Sequence, residues 1–262
     1  MRLYVIDCGR IEMRVSNQVT SGAPDARNAP AIPVPCWLFQ TEQGWMLFDT
    51  GCDPEGMTKN WPPARQENPY VCPPEQELTA QLALLGIRPS DIRCVVLSHL
   101  HLDHAGGLKF FPNARVIVSG EEFVKTMHAY ADRDFSGFHL QSDIESWLRA
   151  EIRWELLSER RLSLSEELTV LNLGPGHSYG MLAVLARTRG HGAILLTADA
   201  VYTRAHFENP AMTAGIIYDA AGYRQSVEHL RRIAEQTRAE TWFGHDPEQF
   251  RTLVKLPDGC YE

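Results

Sequence analysis

The sequence predicts an α/β fold, with sheets covered by helices on their outer faces. Three observations lead there. Short apolar, β-branched runs recur along the chain, and amphipathic helical stretches lie between them. No repeat, low-complexity tract or linker-like segment divides the 262 residues, so one domain over 1–262 is expected.

In chain order, Met1 to Gly9 reads as a strand, its apolar stretch being far too short for the core of a signal peptide. Trp45 to Phe48 is a compact strand closed by Asp49-Thr50-Gly51. Asp53 to Pro74, rich in Pro, Asn and Trp, reads as a surface loop. Leu78, Leu82 and Leu85 recur at helical spacing, and Gly86 stops that helix. Cys94 to Leu97 and Val116 to Val118 are buried strands. Gly120 to Arg149 is helical, with a polar break over Asp132 to Gly137. Leu168–Leu173, Met181–Ala186 and Ala193–Thr197 are three further strands. Val227, Leu230 and Ile233 mark one face of a helix between Gly222 and Arg238, and Trp242-Phe243 form a last short strand.

Composition narrows the function. Against 25 Lys+Arg stand 33 Asp+Glu, a net charge of −8, which disfavours nucleic acid as a partner because phosphate binding needs a basic face. The 44% hydrophobic content is too high for a disordered chain. No apolar run approaches the roughly 20 residues that span a bilayer, so no membrane partner is expected. The six cysteines, with no Cys-x-x-Cys pair, read as reduced thiols of a cytoplasmic protein.

The chemistry lies in Ser98-His99-Leu100-His101-Leu102-Asp103-His104-Ala105-Gly106-Gly107. Histidine nitrogen and carboxylate oxygen suit zinc and other first-row divalent ions. Placed on a strand, His99 and His101 point to the same side and can share one ion. Asp103 and His104, as the chain turns into a helix, face differently and can serve a second. Gly106 and Gly107 let the backbone turn tightly. Four ligands do not complete two sites, and three candidates at strand ends can supply the rest: His177 in Pro175-Gly176-His177-Ser178, Asp199 after Ile194 to Ala198, and His245 after Trp242-Phe243-Gly244. His128, His139, His191, His206 and His229 lack partners at ligand spacing and read as surface or packing residues. Arg231-Arg232 reads as a solvated helix face.

With these motifs, from Phe48-Asp49-Thr50-Gly51 to Phe243-Gly244-His245-Asp246, the sequence resembles the metallo-β-lactamase superfamily. Leu196 to Tyr202, Phe207-Glu208 and the Phe243 to Asp246 ending resemble its quorum-quenching N-acyl homoserine lactonases. The resemblance implies an αβ/βα sandwich of two mixed sheets with two divalent metal ions at one edge. Zinc is the first choice, with manganese, iron and cobalt also compatible. It implies that His99, His101 and His177 hold the first ion, that Asp103, His104 and His245 hold the second, and that Asp199 bridges them. Tyr202 matches the active-site tyrosine. Asp49 matches an aspartate that orients the histidine loop; a turn-capping role before Gly51 explains it equally well. Leu102 stands where many lactonases carry Phe, so the acyl-chain preference does not carry over.

The expected reaction is the opening of a lactone ring by a hydroxide held between the two metals. Tyr202 hydrogen-bonds the oxyanion, and Asp103 passes the water's proton to the alkoxide. The alternative is another ester, thioester or amide hydrolysed by the same metal pair. A metal-binding scaffold without turnover fits less well, since all seven ligand positions are filled. The loops Val15 to Pro35 and Asp53 to Pro74 are expected to shape the pocket, and the apolar helical stretch around Trp147 is the candidate contact for a homodimer.

Overall fold

Alternation along the strands decides the layering. The computed structural model describes residues 1–13, 18, 30–209 and 211–262. Along β1 (Arg2–Ile11), Leu3 and Val5 face one way while Tyr4, Ile6 and Cys8 face the other, the period of two that a pleated strand imposes. Both faces are apolar, so this sheet is covered on both sides. It contains β1, β2 (Ile32–Thr41), β3 (Gly44–Phe48), β4 (Tyr70–Val71), β5 (Ile92–Val96), β6 (Arg115–Ser119) and β7 (Arg153–Leu157), in the order β4-β1-β2-β3-β5-β6-β7. A second sheet has the order β12-β11-β10-β9-β8, from β8 (Arg161–Ser163), β9 (Leu168–Gly174), β10 (Met181–Thr188), β11 (Gly192–Leu196) and β12 (Glu240–Trp242).

Leu3, Val5, Phe39, Phe48 and Val96 of the first sheet pack against Val170, Val184, Ile194 and Leu196 of the second. The rings of Trp37 and Trp242 meet across this layer at 5.5 Å. On the outer face of the first sheet lie α1 (Leu78–Leu84), α2 (Leu102–Ala105), α3 (Gly120–Asp132) and α4 (Gln141–Arg149), with Leu82, Ile144 and Trp147 buried beneath them. After α5 (Arg204–Glu208), α6 (Ala220–Thr237) covers the second sheet through Val227, Leu230 and Ile233. The short α7 (Pro247–Thr252) follows β12. The layers are helix, sheet, sheet, helix: the αβ/βα sandwich expected.

Several sequence readings need correction. Ile32–Thr41 is a strand the sequence hides, because Pro33 and Pro35 argue against a central position. In the structure β2 lies between β1 and β3, and its prolines pair with Arg10 and Asp7 on either side of a register shift in β1. The missing N–H groups therefore fall where the ladder is already interrupted. β7 and β8 lie outside the strands expected from the sequence. Of the loop expected over Val15 to Pro35, residues 15–17 and 19–29 lie outside the described residues, and Ile32–Pro35 open β2. Asp53 to Pro74 is more than a surface loop: it buries Asp53 and Trp61, makes a π-helical turn over Gly56–Asn60, and pairs β4 with β1. In the stretch around Trp147, Trp147 itself is turned inward, 1% exposed and donating its indole N–H to the Ala105 carbonyl at 3.1 Å, while Leu148, 53% exposed, faces outward. Arg231 is not simply solvated, since its guanidinium donates to the Phe207 carbonyl.

One buried acid predicts a pH effect. Asp143 on α4 is enclosed, and its Oδ2 has no hydrogen-bond partner. Burial, and then the Asp53 carboxylate, push its pKa up to about 8. In the unfolded chain it returns to about 3.9. Between these values the unfolded state releases a proton that the folded state keeps. Stability is therefore full below about pH 4 and lost progressively as pH rises toward 8. Asp143→Asn, neutral in both states, is expected to raise stability near pH 8 by on the order of 1–3 kcal/mol and to change it little near pH 4. Denaturant midpoints at the two pH values check this, and equal gains at both would refute the buried-acid account.

Candidate metal centre

All seven proposed ligands follow strand ends at one edge of the two sheets. β5 ends at Val96, so His99 and His101 lie beyond the strand rather than on it. The loop carries them to adjacent positions, with ring centroids 4.4 Å apart. Asp103 and His104 fall on α2, as expected. His177 lies between β9 and β10, Asp199 just past β11, and His245 just past β12. All seven are buried.

Their donor atoms form three overlapping trios, each within 4.8 Å: His99, His101 and His177; His99, His104 and Asp199; Asp103, His104 and His245. Asp199 is the common neighbour. Its Oδ1 lies 3.1 Å from His104 Nε2 and 3.0 Å from His245 Nε2, and its Oδ2 lies 3.2 Å from His177 Nε2.

In His99, His104, His177 and His245 the Nδ1 is occupied, which fixes each ring and turns its Nε2 inward, whereas His101 turns its Nδ1 inward, 3.0 Å from His177 Nε2. His104 Nδ1–H donates to Asp49 Oδ2 at 2.8 Å, His177 Nδ1–H to the Ile216 carbonyl at 2.8 Å, and His245 Nδ1–H to the Pro33 carbonyl at 2.9 Å. His99 Nδ1 is 3.0 Å from Ser98 Oγ. Asp49 also accepts from the Ser98 N–H at 2.7 Å, so of its two readings the orienting one describes its contacts.

This cluster fits divalent ions. His99 Nε2 is buried without a hydrogen-bond partner, a cost of roughly 1–3 kcal/mol unless something else satisfies it, and His104 Nε2 and Asp199 Oδ1, though 3.1 Å apart, are not aligned for a hydrogen bond. Burial, then the neighbouring histidines, hold His99 and His101 well below the usual imidazole range, leaving neutral rings with lone pairs to offer. His104 and His245 behave differently: burial opposes their charge, but the nearby carboxylates, Asp199 foremost, outweigh it and raise both. The carboxylate side of the cluster thus attracts positive charge, and a cation answers that demand.

Gly106 and Gly107 serve a different purpose from the one read in the sequence. Gly106 has an ordinary helical φ of −61°. A Cβ on it would lie 2.3 Å from the Asp53 N, and one on Gly107 2.3 Å from the Thr50 carbonyl oxygen. They permit close packing of α2 on the Thr50–Asp53 segment rather than a tight turn.

Beside the cluster opens a small cavity. Met13, Trp61, Leu102, Phe138 and Ile216 give it apolar walls, and His101, Asp103, Asp199, Tyr202 and His245 face into it. The Asp53 to Pro74 segment does shape this pocket, through Trp61, Arg65 and Asn68. Tyr202 sits between the rings of His177 and His245, at 5.3 Å from each. Burial, then Asp199 and Asp103, hold its hydroxyl well above the usual phenol range.

Sequence reasoning missed His139. It is buried, its ring 4.7 Å from that of His101, and its Nε2 is 2.8 Å from Glu122 Oε1. The acid lies 17 residues away on another element, so no local spacing reveals the pair.

The metallo-beta-lactamase superfamily profile matches residues 29–239. The chain is 39% identical over 273 aligned residues to the N-acyl homoserine lactonase AiiB of Agrobacterium fabrum, covering 100% of this chain and 99% of that one. It is 28% identical to an N-acyl homoserine lactonase of a Bacillus species, covering 98% of each. Among solved structures it is similar to an N-acyl homoserine lactone hydrolase with the product N-hexanoyl-L-homoserine bound at its catalytic metal centre. That match has a TM-score of 0.81 and 26% identity, over 98% of this chain and 97% of the other.

Proposed function

Since the chain belongs to the metallo-beta-lactamase superfamily, we propose that it is a dinuclear metal-dependent hydrolase, acting as one domain, that opens the ring of N-acyl homoserine lactones or a similar lactone. The observation that carries this is the convergence of five histidines and two aspartates in one buried cluster, five of whose members line a cavity with apolar walls. His99, His101 and His177 would hold one ion, Asp103, His104 and His245 the other, and Asp199 both. Zinc is the proposed native metal, because tetrahedral nitrogen and oxygen sets suit it; manganese, iron and cobalt accept the same donors.

Bound divalent ions supply Lewis acidity toward a carbonyl and bring the pKa of water near neutrality. The side chains do the rest. Tyr202, kept protonated, donates its O–H to the carbonyl oxygen as negative charge grows there. Asp103 takes the proton of the attacking water and delivers it to the ring oxygen as the C–O bond breaks. Its nearest contacts within the cluster, to His245 at 3.4 Å and His104 at 3.6 Å, are longer than those of Asp199. The product is the ring-opened hydroxy acid. The apolar walls receive the uncharged substituent.

A pH-indicator assay of the purified protein against homoserine lactones, other γ- and δ-lactones, thioesters and β-lactams tests the reading. Turnover confined to thioesters or β-lactams would overturn it. Tyr202→Phe is expected to lower kcat/KM on a lactone by about 10²-fold with metal content kept; unchanged kinetics would remove Tyr202 from the mechanism. The cytoplasm is the proposed compartment, in keeping with six free cysteines. Among the described residues no helix is long and apolar enough to cross a membrane.

A further inference from the structure

The first turn of α3 buries a carboxylate to which the proposed chemistry gives no role. Glu122 has no exposed surface. Its Oε1 accepts from the Leu100 N–H at 2.9 Å, from His139 Nε2–H at 2.8 Å and from the Ser178 hydroxyl at 2.9 Å. Its Oε2 accepts from the Gly180 N–H at 2.9 Å and lies 2.8 Å from the same hydroxyl. Leu100 stands between His99 and His101, and Ser178 follows His177. One carboxylate therefore joins the two loops that carry the first trio.

Two further contacts place it close to the ligands. His139 stacks on Tyr179 at 4.8 Å, nearly parallel, and presents its ring edge-on to His101 at 4.7 Å. The His177 loop approaches α3 so closely that a Cβ on Gly180 would lie 2.9 Å from the Glu122 N and 2.3 Å from Ser119 Oγ. The donors to Glu122 adjoin His99, His101 and His177 in sequence or contact His101, whereas the histidines of the other trio, His104 and His245, are held by Asp49 and the Pro33 carbonyl.

We propose that Glu122, with His139, is the positioning residue for the ion held by His99, His101 and His177, and that it acts on this ion selectively. A buried acceptor with four separate donors costs more to remove than an ordinary hydrogen bond, and outer partners of metal ligands commonly carry 10–100-fold in affinity. Glu122→Gln keeps the shape but turns one acceptor into a donor, which then faces the Gly180 or the Leu100 N–H.

The inference rests on the dinuclear reading, and the experiment separates the two. Chelator-stripped wild type and Glu122→Gln are titrated with zinc against a chromophoric competitor, with thermal unfolding recorded alongside. The expected result is that one of two ions binds about 10–100-fold more weakly while the other stays within about twofold. The same substitution in a His177→Ala background should leave the remaining ion unaffected. Two unchanged affinities, or an equal loss of both, overturn the inference while the dinuclear reading stands. A wild type that takes one ion overturns the dinuclear reading, and the inference then stands or falls on whether Glu122→Gln weakens that ion. Should Glu122→Gln fail to fold, Ser178→Ala, which removes a single donor, is expected to weaken the same ion several-fold, and no change overturns the proposal.

Discussion

Asp103→Asn is expected to lower kcat on a lactone by about 10²–10⁴-fold, the range that a positioned proton carrier supplies. The substitution preserves size and leaves an oxygen that can still face the His104 and His245 side. What it removes is the capacity to take up a proton and release it. Ring opening expels an alkoxide, a poor leaving group that needs that proton as the bond breaks. The loss should therefore depend on the leaving group: large for an aliphatic lactone, and small for an aryl ester whose phenolate departs unaided. Metal content measured on the same preparation separates this from ligand loss. A uniform decrease across leaving groups, or one that follows metal content, would leave Asp103 as a ligand only. Asp103 lines the cavity, and its Oδ2 lies 3.4 Å from His245 Nε2 and 3.6 Å from His104 Nε2.

The candidate site was legible in the sequence for a physical reason. Candidate ligands at strand ends are announced by the strands themselves: apolar runs such as Ile194 to Leu196 and Cys94 to Leu97 stop abruptly at polar residues. A motif as dense as His99 to His104 needs no long-range information. What stayed hidden depends on contacts between distant segments. β2 carries two prolines that only the interrupted β1 ladder makes acceptable. His139 looks idle until α3 brings Glu122 to it. Gly106 and Gly107 read as a turn, whereas the constraint on them comes from Thr50 and Asp53, some fifty residues earlier. The Pro33 carbonyl that orients His245 lies 212 positions away. Periodicity reports which face of an element is buried, and it is silent about what arrives to cover that face.

Removing the shared carboxylate should have the larger effect on the metals. Asp199→Ala is expected to lose most of one metal equivalent, and kcat/KM should fall by on the order of 10³-fold, more than the 10–100-fold that an outer partner carries. Burial alone would raise the pKa of Asp199, yet His245, His104 and His177 hold it well below the usual carboxylate range. It is thus an anion in a buried site, balanced by whatever positive charge lies beside it. Taking that anion away leaves His104 and His177, from different trios, with no common acceptor between them and less negative charge to offset two dications. The ion on Asp103, His104 and His245 still has a carboxylate, whereas the other keeps histidines alone. The surviving equivalent should therefore sit with Asp103, and His177→Ala added to Asp199→Ala should cost little further metal. Two equivalents retained after Asp199→Ala would show that each trio binds its ion without a bridge, and a further loss from His177→Ala would place the surviving ion on the other trio.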